Sequence, residues 1–81
     1  MNRSDVEDRV RRIVAKIFDL QPGDVSGETE FQALGADSLH IVELAMAIEE
    51  TFGLEVSEAS GRQLTSVNAV TDYVLQHADL R

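Results

Sequence analysis

Asp37, Ser38 and His40 are the residues whose types and spacing could do chemistry. A serine near a histidine and an aspartate suggests a nucleophile with its general base. The sequence also predicts that a helix begins at Ser38. Residues two apart on a helix point about 200° away from each other, so His40 could not readily reach the Ser38 hydroxyl. The chain also lacks the Gly-x-Ser-x-Gly segment on which α/β-hydrolases mount their serine. We therefore expect no catalytic residue and no enzyme activity.

Ser38 is better placed to carry a group than to attack a substrate. Asp37 is a preferred N-cap residue, so Ser38 becomes the first residue of the helix. The small residues Gly35 and Ala36 precede it, so no bulky side chain stands directly before Asp37. A phosphodiester on its hydroxyl would lie near the positive end of the helix dipole. A serine at a helix start is also common as a simple capping residue, and the pattern alone leaves both interpretations open.

The predicted helix from Ser38 to Phe52 has two different faces. At about 100° per residue, one side gathers an ordinary core stripe: Ile41, Leu44, Ala45, Ile48 and Phe52. The opposite side mixes apolar residues with carboxylates: Leu39, Val42, Glu43, Met46, Glu49 and Glu50. Apolar contact rimmed by charge is typical of a transient docking surface, and glutamate is rarely buried without a partner. We expect a docking surface here; the alternative is a helix buried nearly all round.

The other elements are predicted from periodicity and from start and stop signals. A first helix is expected to open with a capping box at Ser4 to Glu7. It should bury an apolar stripe: Val6, Val10, Ile13, Val14 and Ile17. Residues 19–36 form a long connection whose apolar residues should anchor it on the bundle. Thr29 is expected to cap one short helical turn in it, which Gly35 ends.

The C-terminal third adds two helices. A brief helix is expected over residues 58–63, and a last helix from Thr65 or Ser66 that frays after His77. No segment shows the alternation of a strand. The sequence therefore predicts an all-α fold in one domain over residues 1–81: a small antiparallel bundle of three longer helices, one short helix and a long ordered loop.

The net charge of −8 is distributed unevenly along the 81 residues. Residues 1–16 carry five basic and three acidic side chains, whereas residues 17–61 carry ten carboxylates and no Lys or Arg. Nucleic acid is not expected as a partner, because binding phosphates needs a basic footprint, and anionic membranes are disfavoured for the same reason. A field of one sign instead attracts partners that carry Arg and Lys patches.

Composition excludes several other kinds of site. Without cysteine there is no disulfide framework and no thiolate zinc site. His40 and His77 are isolated in sequence and are expected to face solvent, so no metal site is predicted. The acidic stretch from Asp19 to Glu30 has glycine and aspartate in the wrong order for a calcium loop. The longest apolar run is far below the roughly 20 residues that span a membrane. The polar N-terminus lacks the core of a signal peptide, so a cytoplasmic protein is expected.

Three segments closely resemble the acyl carrier protein family: Leu-Gly-Ala-Asp-Ser-Leu at 34–39, Val-Glu-Leu at 42–44 and Glu-Glu-Thr-Phe-Gly at 49–53. The likeness covers nearly the whole chain, through residues 70–74. It implies a freestanding, monomeric carrier whose Ser38 is esterified by a phosphopantetheinyl transferase using coenzyme A. The terminal thiol of the 4′-phosphopantetheine arm then carries an acyl group, while the reactions belong to partner enzymes such as acyltransferases and ketosynthases.

The resemblance also implies roles for the residues around this serine. Partner enzymes of the family read positions that match Asp37, Leu39, His40, Val42, Glu43, Met46, Glu49 and Glu50. Family members can tuck a bound chain between the helices, and the matching lining here is Phe31, Ile41, Leu44, Ile48 and Leu64.

Two stretches depart from the pattern of fatty-acid carriers. His40 stands where an acidic residue is frequent, and residues 57–62 lack the usual proline and much of the usual acidity. A polyketide or other specialised pathway is therefore expected as readily as fatty-acid synthesis. Peptidyl carriers tend to have a Gly-Gly-x-Ser-Leu core, so Ala36-Asp37 favours acyl over aryl or aminoacyl cargo. A carrier-like interaction module that is never modified is the remaining alternative.

Overall fold

The structure is a computed structural model that describes residues 2–77. Its four α-helices are α1 (Arg3–Ile17), α2 (Ser38–Phe52), α3 (Glu58–Gly61) and α4 (Val67–His77). Two 3₁₀ turns, Pro22–Asp24 and Phe31–Leu34, lie in the connection between α1 and α2. Within residues 2–77 the extended pairing is limited to an isolated antiparallel bridge between Glu30 and Ser66. The predicted all-α fold of three longer helices and one short helix is confirmed.

The three longer helices enclose one apolar core together with residues of the connection. Its members are almost completely shielded from solvent: Val6, Val10, Val14, Ala15, Val25, Phe31, Leu44, Ile48, Leu64, Val67, Val70 and Val74. Each large apolar side chain buried here contributes about 1.5–3 kcal/mol. Thr71 is fully buried among them, and its hydroxyl donates a hydrogen bond to the Val67 carbonyl at 2.9 Å. Its polar group is therefore satisfied inside the core.

Helix α1 begins two residues before the predicted position. Asn2 is the N-cap, and its side-chain oxygen accepts the N–H of Asp5 at 2.9 Å. The predicted capping box at Ser4 to Glu7 is therefore wrong, because Ser4 already lies inside the helix. Asn and Ser are about equally good N-caps, so the sequence offered two neighbouring starts and the earlier one forms.

Backbone hydrogen bonds join the connection between α1 and α2 to the start of α4 and to Thr65, just before it. The Phe31 N–H donates to the Thr65 carbonyl at 2.9 Å, and the Val67 N–H donates to the Thr29 carbonyl at 3.1 Å. A third bond runs from the Asn68 N–H to the Gly27 carbonyl at 2.8 Å. The prediction that this long connection packs on the bundle is confirmed.

The short turn before α2 forms, but with a different cap. It spans Phe31–Leu34 and ends at Gly35, whose φ of 78° is left-handed and favours glycine. Glu30 is its N-cap, and not Thr29 as predicted. The hydroxyl of Thr29 instead accepts the N–H of Ser26 at 2.9 Å, so it closes the preceding turn.

The later boundaries agree closely with the sequence. Gly53 is the C-cap of α2; its φ is 66° and its N–H donates to the Glu49 carbonyl at 2.9 Å. Ser57 caps α3, which is shorter than predicted. The hydroxyl of Ser66 accepts the N–H of Ala69 at 3.1 Å and so caps the start of α4. The predicted fraying beyond His77 lies outside the described residues.

Candidate functional site

Ser38 is exposed as the first residue of α2. The chain reaches it through the left-handed Gly35, beside which a Cβ atom would meet nothing within 4 Å. In this position Ser38 can be reached by the active site of another protein.

Asp37 and His40 bind each other across the first turn of α2. One carboxylate oxygen of Asp37, Oδ1, accepts the His40 N–H at 3.0 Å, and Nδ1 of His40 accepts the Asp37 N–H at 3.1 Å. This is a capping box in which histidine replaces the usual Glu or Gln. The backbone N–H of His40 holds the pKa of the Asp37 carboxyl below its ordinary value of 3.8. The carboxylate is therefore ionised at neutral pH and Ser38 lies between two fixed residues.

His40 does not stand freely in solvent as predicted. It is half-buried, and its ring stacks on Phe18 with centroids 4.6 Å apart and planes 18° apart. Phe18 in turn lies against Phe31, with centroids 6.2 Å apart. His40 is covered by Phe18 because the end of α1 passes beside the start of α2. His77 is exposed and stacks on Tyr73 at 4.2 Å.

An apolar strip runs along the outer face of α2 from the residue after Ser38. It consists of Leu39, Val42 and Met46, which are 62%, 53% and 58% exposed. Glu43 and Glu50 are exposed on the same side. The predicted exposure of this face is confirmed, and the alternative of a helix buried all round is excluded. Adjacent exposed apolar residues on a small protein commonly mark an interaction site.

Glu49 and Val56 form a contact that the sequence did not indicate. Oε2 of the half-buried Glu49 accepts the N–H of Val56 at 2.9 Å. This bond holds the segment after α2 against the helix. Glu49 therefore has a structural role that Glu43 and Glu50 do not share in the described part of the chain.

A cleft of about 380 Å³ opens next to Ser38. Three of the residues predicted to line a pocket do line it, namely Phe31, Ile41 and Leu64. Leu44 and Ile48 do not; both are fully buried in the core. Ile41 lies close to Ser38 in the sequence of α2 and lines the cleft, whereas Leu44 and Ile48 lie further along the helix inside the core.

Arg62 lies at the wall of the same cleft and was not expected there. Its guanidinium pairs with the Glu58 carboxylate at 2.9 Å, although both side chains are largely exposed. A second cleft of about 310 Å³ shares Ile41, Gly61 and Arg62 with the first and continues along α2 past Met46. The one sequence signal at Arg62 is its isolation, since it is the first Lys or Arg after a long acidic stretch.

Two other kinds of site are absent from the described residues. Among residues 2–77 there is no group of three or more His, Cys, Asp or Glu side chains that could hold a metal ion. None of the helices in this part of the chain has the length and apolar character needed to cross a membrane.

A helical bundle that presents an exposed serine at the capped start of a long helix has the architecture of a carrier domain. The sequence confirms this, because the family model described as phosphopantetheine attachment site matches residues 8–74. The chain belongs to this family. Its prosthetic group is covalently attached 4′-phosphopantetheine, and its members are carriers rather than catalysts. The exposed serine and the open space beside Gly35 fit such an arm.

Two solved structures are similar to this chain. A freestanding peptidyl carrier protein from an uncharacterized Acinetobacter baumannii secondary metabolic pathway matches with a TM-score of 0.81 and 20% identity, over 93% of this chain and 94% of that one. The apo doublet acyl carrier protein from prodigiosin biosynthesis matches with a TM-score of 0.79 and 18% identity. That match covers 93% of this chain and 37% of the doublet. Identities this low show a shared fold alone.

Proposed function

We propose that this protein is an acyl carrier and that Ser38 is the residue that bears the arm. The choice of serine is supported by a comparison of all six in the chain. Four have hydroxyls engaged in hydrogen bonds of turns and caps: Ser26, Ser57, Ser60 and Ser66. Ser4 precedes the part of the chain that matches the family, residues 8–74. Ser38 alone lies in that region, is exposed, and has a hydroxyl with no partner among the described residues.

The proposed modification uses Ser38 as the nucleophile in a partner's active site. Its hydroxyl oxygen attacks the phosphorus on the pantetheine side of the coenzyme A diphosphate. A new O–P bond forms, the P–O bond of the diphosphate breaks, adenosine 3′,5′-bisphosphate leaves, and the hydroxyl proton passes to the phosphopantetheinyl transferase. The resulting phosphodiester is negative, and the N-terminus of α2 stabilises it by about 0.3–1 kcal/mol. Once attached, the arm supplies a thiol that holds cargo as a thioester.

The partner surface that we propose is the outer face of α2. The apolar strip of Leu39, Val42 and Met46 would supply desolvated contact, and Glu43 and Glu50 would attract partners with basic patches. Such partners include the transferase, acyltransferases and ketosynthases. Asp37 and His40 adjoin Ser38 and would be met by the same enzymes, whereas Glu49 is partly occupied by its bond to Val56.

The proposed cargo is an acyl group. It would come from a polyketide or other specialised pathway, or from fatty-acid synthesis. The apolar part of the cleft beside Ser38, formed by Phe31, Ile41 and Leu64, supports an acyl group over a highly polar one. The alternative of aryl or aminoacyl cargo gives a different mass on the arm and is distinguished by the experiment below. The cytoplasmic location inferred from the sequence stays a proposal.

Intact-mass measurement after native expression tests this function. Wild type should gain the mass of one phosphopantetheine, and any further mass would identify the cargo as acyl or aminoacyl. Ser38→Ala should gain neither. Ser57→Ala is the matched control, because Ser57 is also exposed at a helix start, and it should be modified like wild type. A wild type without phosphopantetheine, or a modified Ser38→Ala, would contradict the proposal.

A further inference from the structure

We propose that His40 is a positioning residue for Ser38. Through Nδ1 it holds the turn that presents the serine hydroxyl to the transferase. The inference rests on the proposed function, because it concerns the rate at which Ser38 is modified. It makes a specific residue of this chain responsible for the geometry of the attachment turn.

The first support is that His40 and Asp37 bond to each other in both directions. The Asp37 side chain accepts the N–H of His40, and the His40 side chain accepts the N–H of Asp37. Ser38 and Leu39 are the residues enclosed by these two bonds. A change in either bond therefore changes the backbone on which the Ser38 hydroxyl is mounted.

The second support is that the His40 ring makes its two contacts, the stack on Phe18 and the bond to the Asp37 N–H, through different atoms. The face of the ring stacks on Phe18 at 4.6 Å, whereas Nδ1 lies at the Asp37 N–H. This stack packs the start of α2 against the end of α1 and is expected to stabilise the fold. The Nδ1 bond acts on the first turn alone, so the two effects can be separated by substitution.

The proposed role of His40 depends on which ring nitrogen carries the proton. Nδ1 lies 3.1 Å from the Asp37 nitrogen and 3.0 Å from Asp37 Oδ1. A neutral ring whose proton is on Nε2 accepts the N–H through Nδ1. A ring protonated at Nδ1 would instead donate to the carboxylate and leave the N–H of Asp37 without this acceptor. The capping box therefore requires the neutral ring with its proton on Nε2.

Positioning predicts that kcat falls by a larger factor than any change in KM that comes from lost contacts between His40 and the transferase. The apolar strip proposed for docking lies outside the bonded turn, apart from Leu39, so the transferase should still bind. Once bound, a serine held less well reaches the reactive geometry less often. We expect kcat for Ser38 modification to fall about fivefold without the Nδ1 bond, which corresponds to about 1 kcal/mol.

Four variants separate positioning from stability in an assay with a broad-specificity phosphopantetheinyl transferase and coenzyme A. His40→Ala loses the acceptor and the ring, so kcat and Tm should both fall. His40→Gln restores an acceptor and should recover kcat while Tm stays low. His40→Phe keeps a ring against Phe18 and should hold Tm while kcat stays low. Phe18→Leu removes the aromatic contacts with His40 and Phe31 and leaves Nδ1 at the Asp37 N–H, so Tm should fall while kcat holds.

The inference is overturned if kcat follows Tm across these variants, or if His40→Gln is no faster than His40→Ala. It is also overturned if all four are modified at the wild-type rate. That last outcome leaves the proposed function standing, since wild type is still modified at Ser38. A wild type that the transferase never modifies would instead refute the proposed function, and the inference with it.

Nitrogen NMR of the unmodified wild-type protein provides a readout that needs no transferase. At slightly alkaline pH the His40 ring should show its proton on Nε2 and an unprotonated Nδ1. A proton on Nδ1 under these conditions would contradict the capping geometry and overturn the inference, whatever the modification rates.

Discussion

Replacement of Met46 by alanine is expected to weaken docking without weakening the fold. Met46 is 58% exposed on the outer face of α2, whereas Leu44, in the same helix, is fully buried. Full burial of a methionine side chain is worth about 1.5–3 kcal/mol. Because more than half of Met46 remains in contact with water, about 1–1.5 kcal/mol of this gain is left for a partner to realise.

This free energy sets the size of the effect. Alanine gives up most of the contact, and about 1.4 kcal/mol corresponds to a factor of ten in affinity. The KM of the phosphopantetheinyl transferase for the carrier is therefore expected to rise about five- to tenfold. kcat should stay near its wild-type value, because docking affects the ground state and the transition state alike.

The assay is steady-state transfer of phosphopantetheine from coenzyme A, with the unfolding temperature measured in parallel. Gln76→Ala is the control, since Gln76 is exposed on α4 and the strip lies on α2. It should leave KM and Tm unchanged. An unchanged KM for Met46→Ala would refute the assignment of this strip to docking. A rise in KM accompanied by a fall in Tm would attribute the effect to folding instead.

Three further predictions concern stability. Leu44→Ala should lower the free energy of unfolding by about 2–5 kcal/mol in urea titrations, because the side chain is fully buried; a loss below 1 kcal/mol would place it outside the core. Gly53→Ala should cost about 1–2 kcal/mol because φ is 66°, whereas Gly23→Ala, at a position with open space and no positive φ, should cost far less. Asp37 has a lowered pKa, so its ionised form stabilises the fold above the ordinary value of 3.8, and this contribution is lost as the pH falls through the lowered pKa. The stability difference between wild type and Asp37→Asn should therefore be constant near neutrality and shrink in acid, and a difference that persists unchanged in strong acid would contradict this.

Much of α2 could be predicted because its signals are local. Asp37 supplies a side-chain acceptor at the start, and Gly53 tolerates the left-handed conformation at the end. Between them the helical repeat assigns each residue to the inner or the outer face, so the exposure of Val42 and the burial of Ile48 followed from spacing. These features need no knowledge of the other helices.

Contacts that depend on the path of the chain could not be predicted in the same way. His40 meets Phe18 only because the connection returns α2 to the end of α1. The bond from the Val56 N–H to Glu49 requires the segment after α2 to fold back along the helix. The cap of α1 was missed for another reason, since Asn2 and Ser4 both suit that role and side-chain chemistry alone does not choose between them.

The attachment turn shows how a residue can be fixed in place without being buried. Core residues such as Leu44 are held by exclusion of water, which would make Ser38 inaccessible to enzymes. Ser38 is instead flanked by Asp37 and His40, whose side chains each accept the backbone N–H of the other. A carrier must offer the same serine, and later the same arm, to enzymes that approach from solvent. Fixing the backbone on both sides of an exposed hydroxyl meets that requirement, because the orientation is set before any partner binds and no partner has to displace core contacts to reach it.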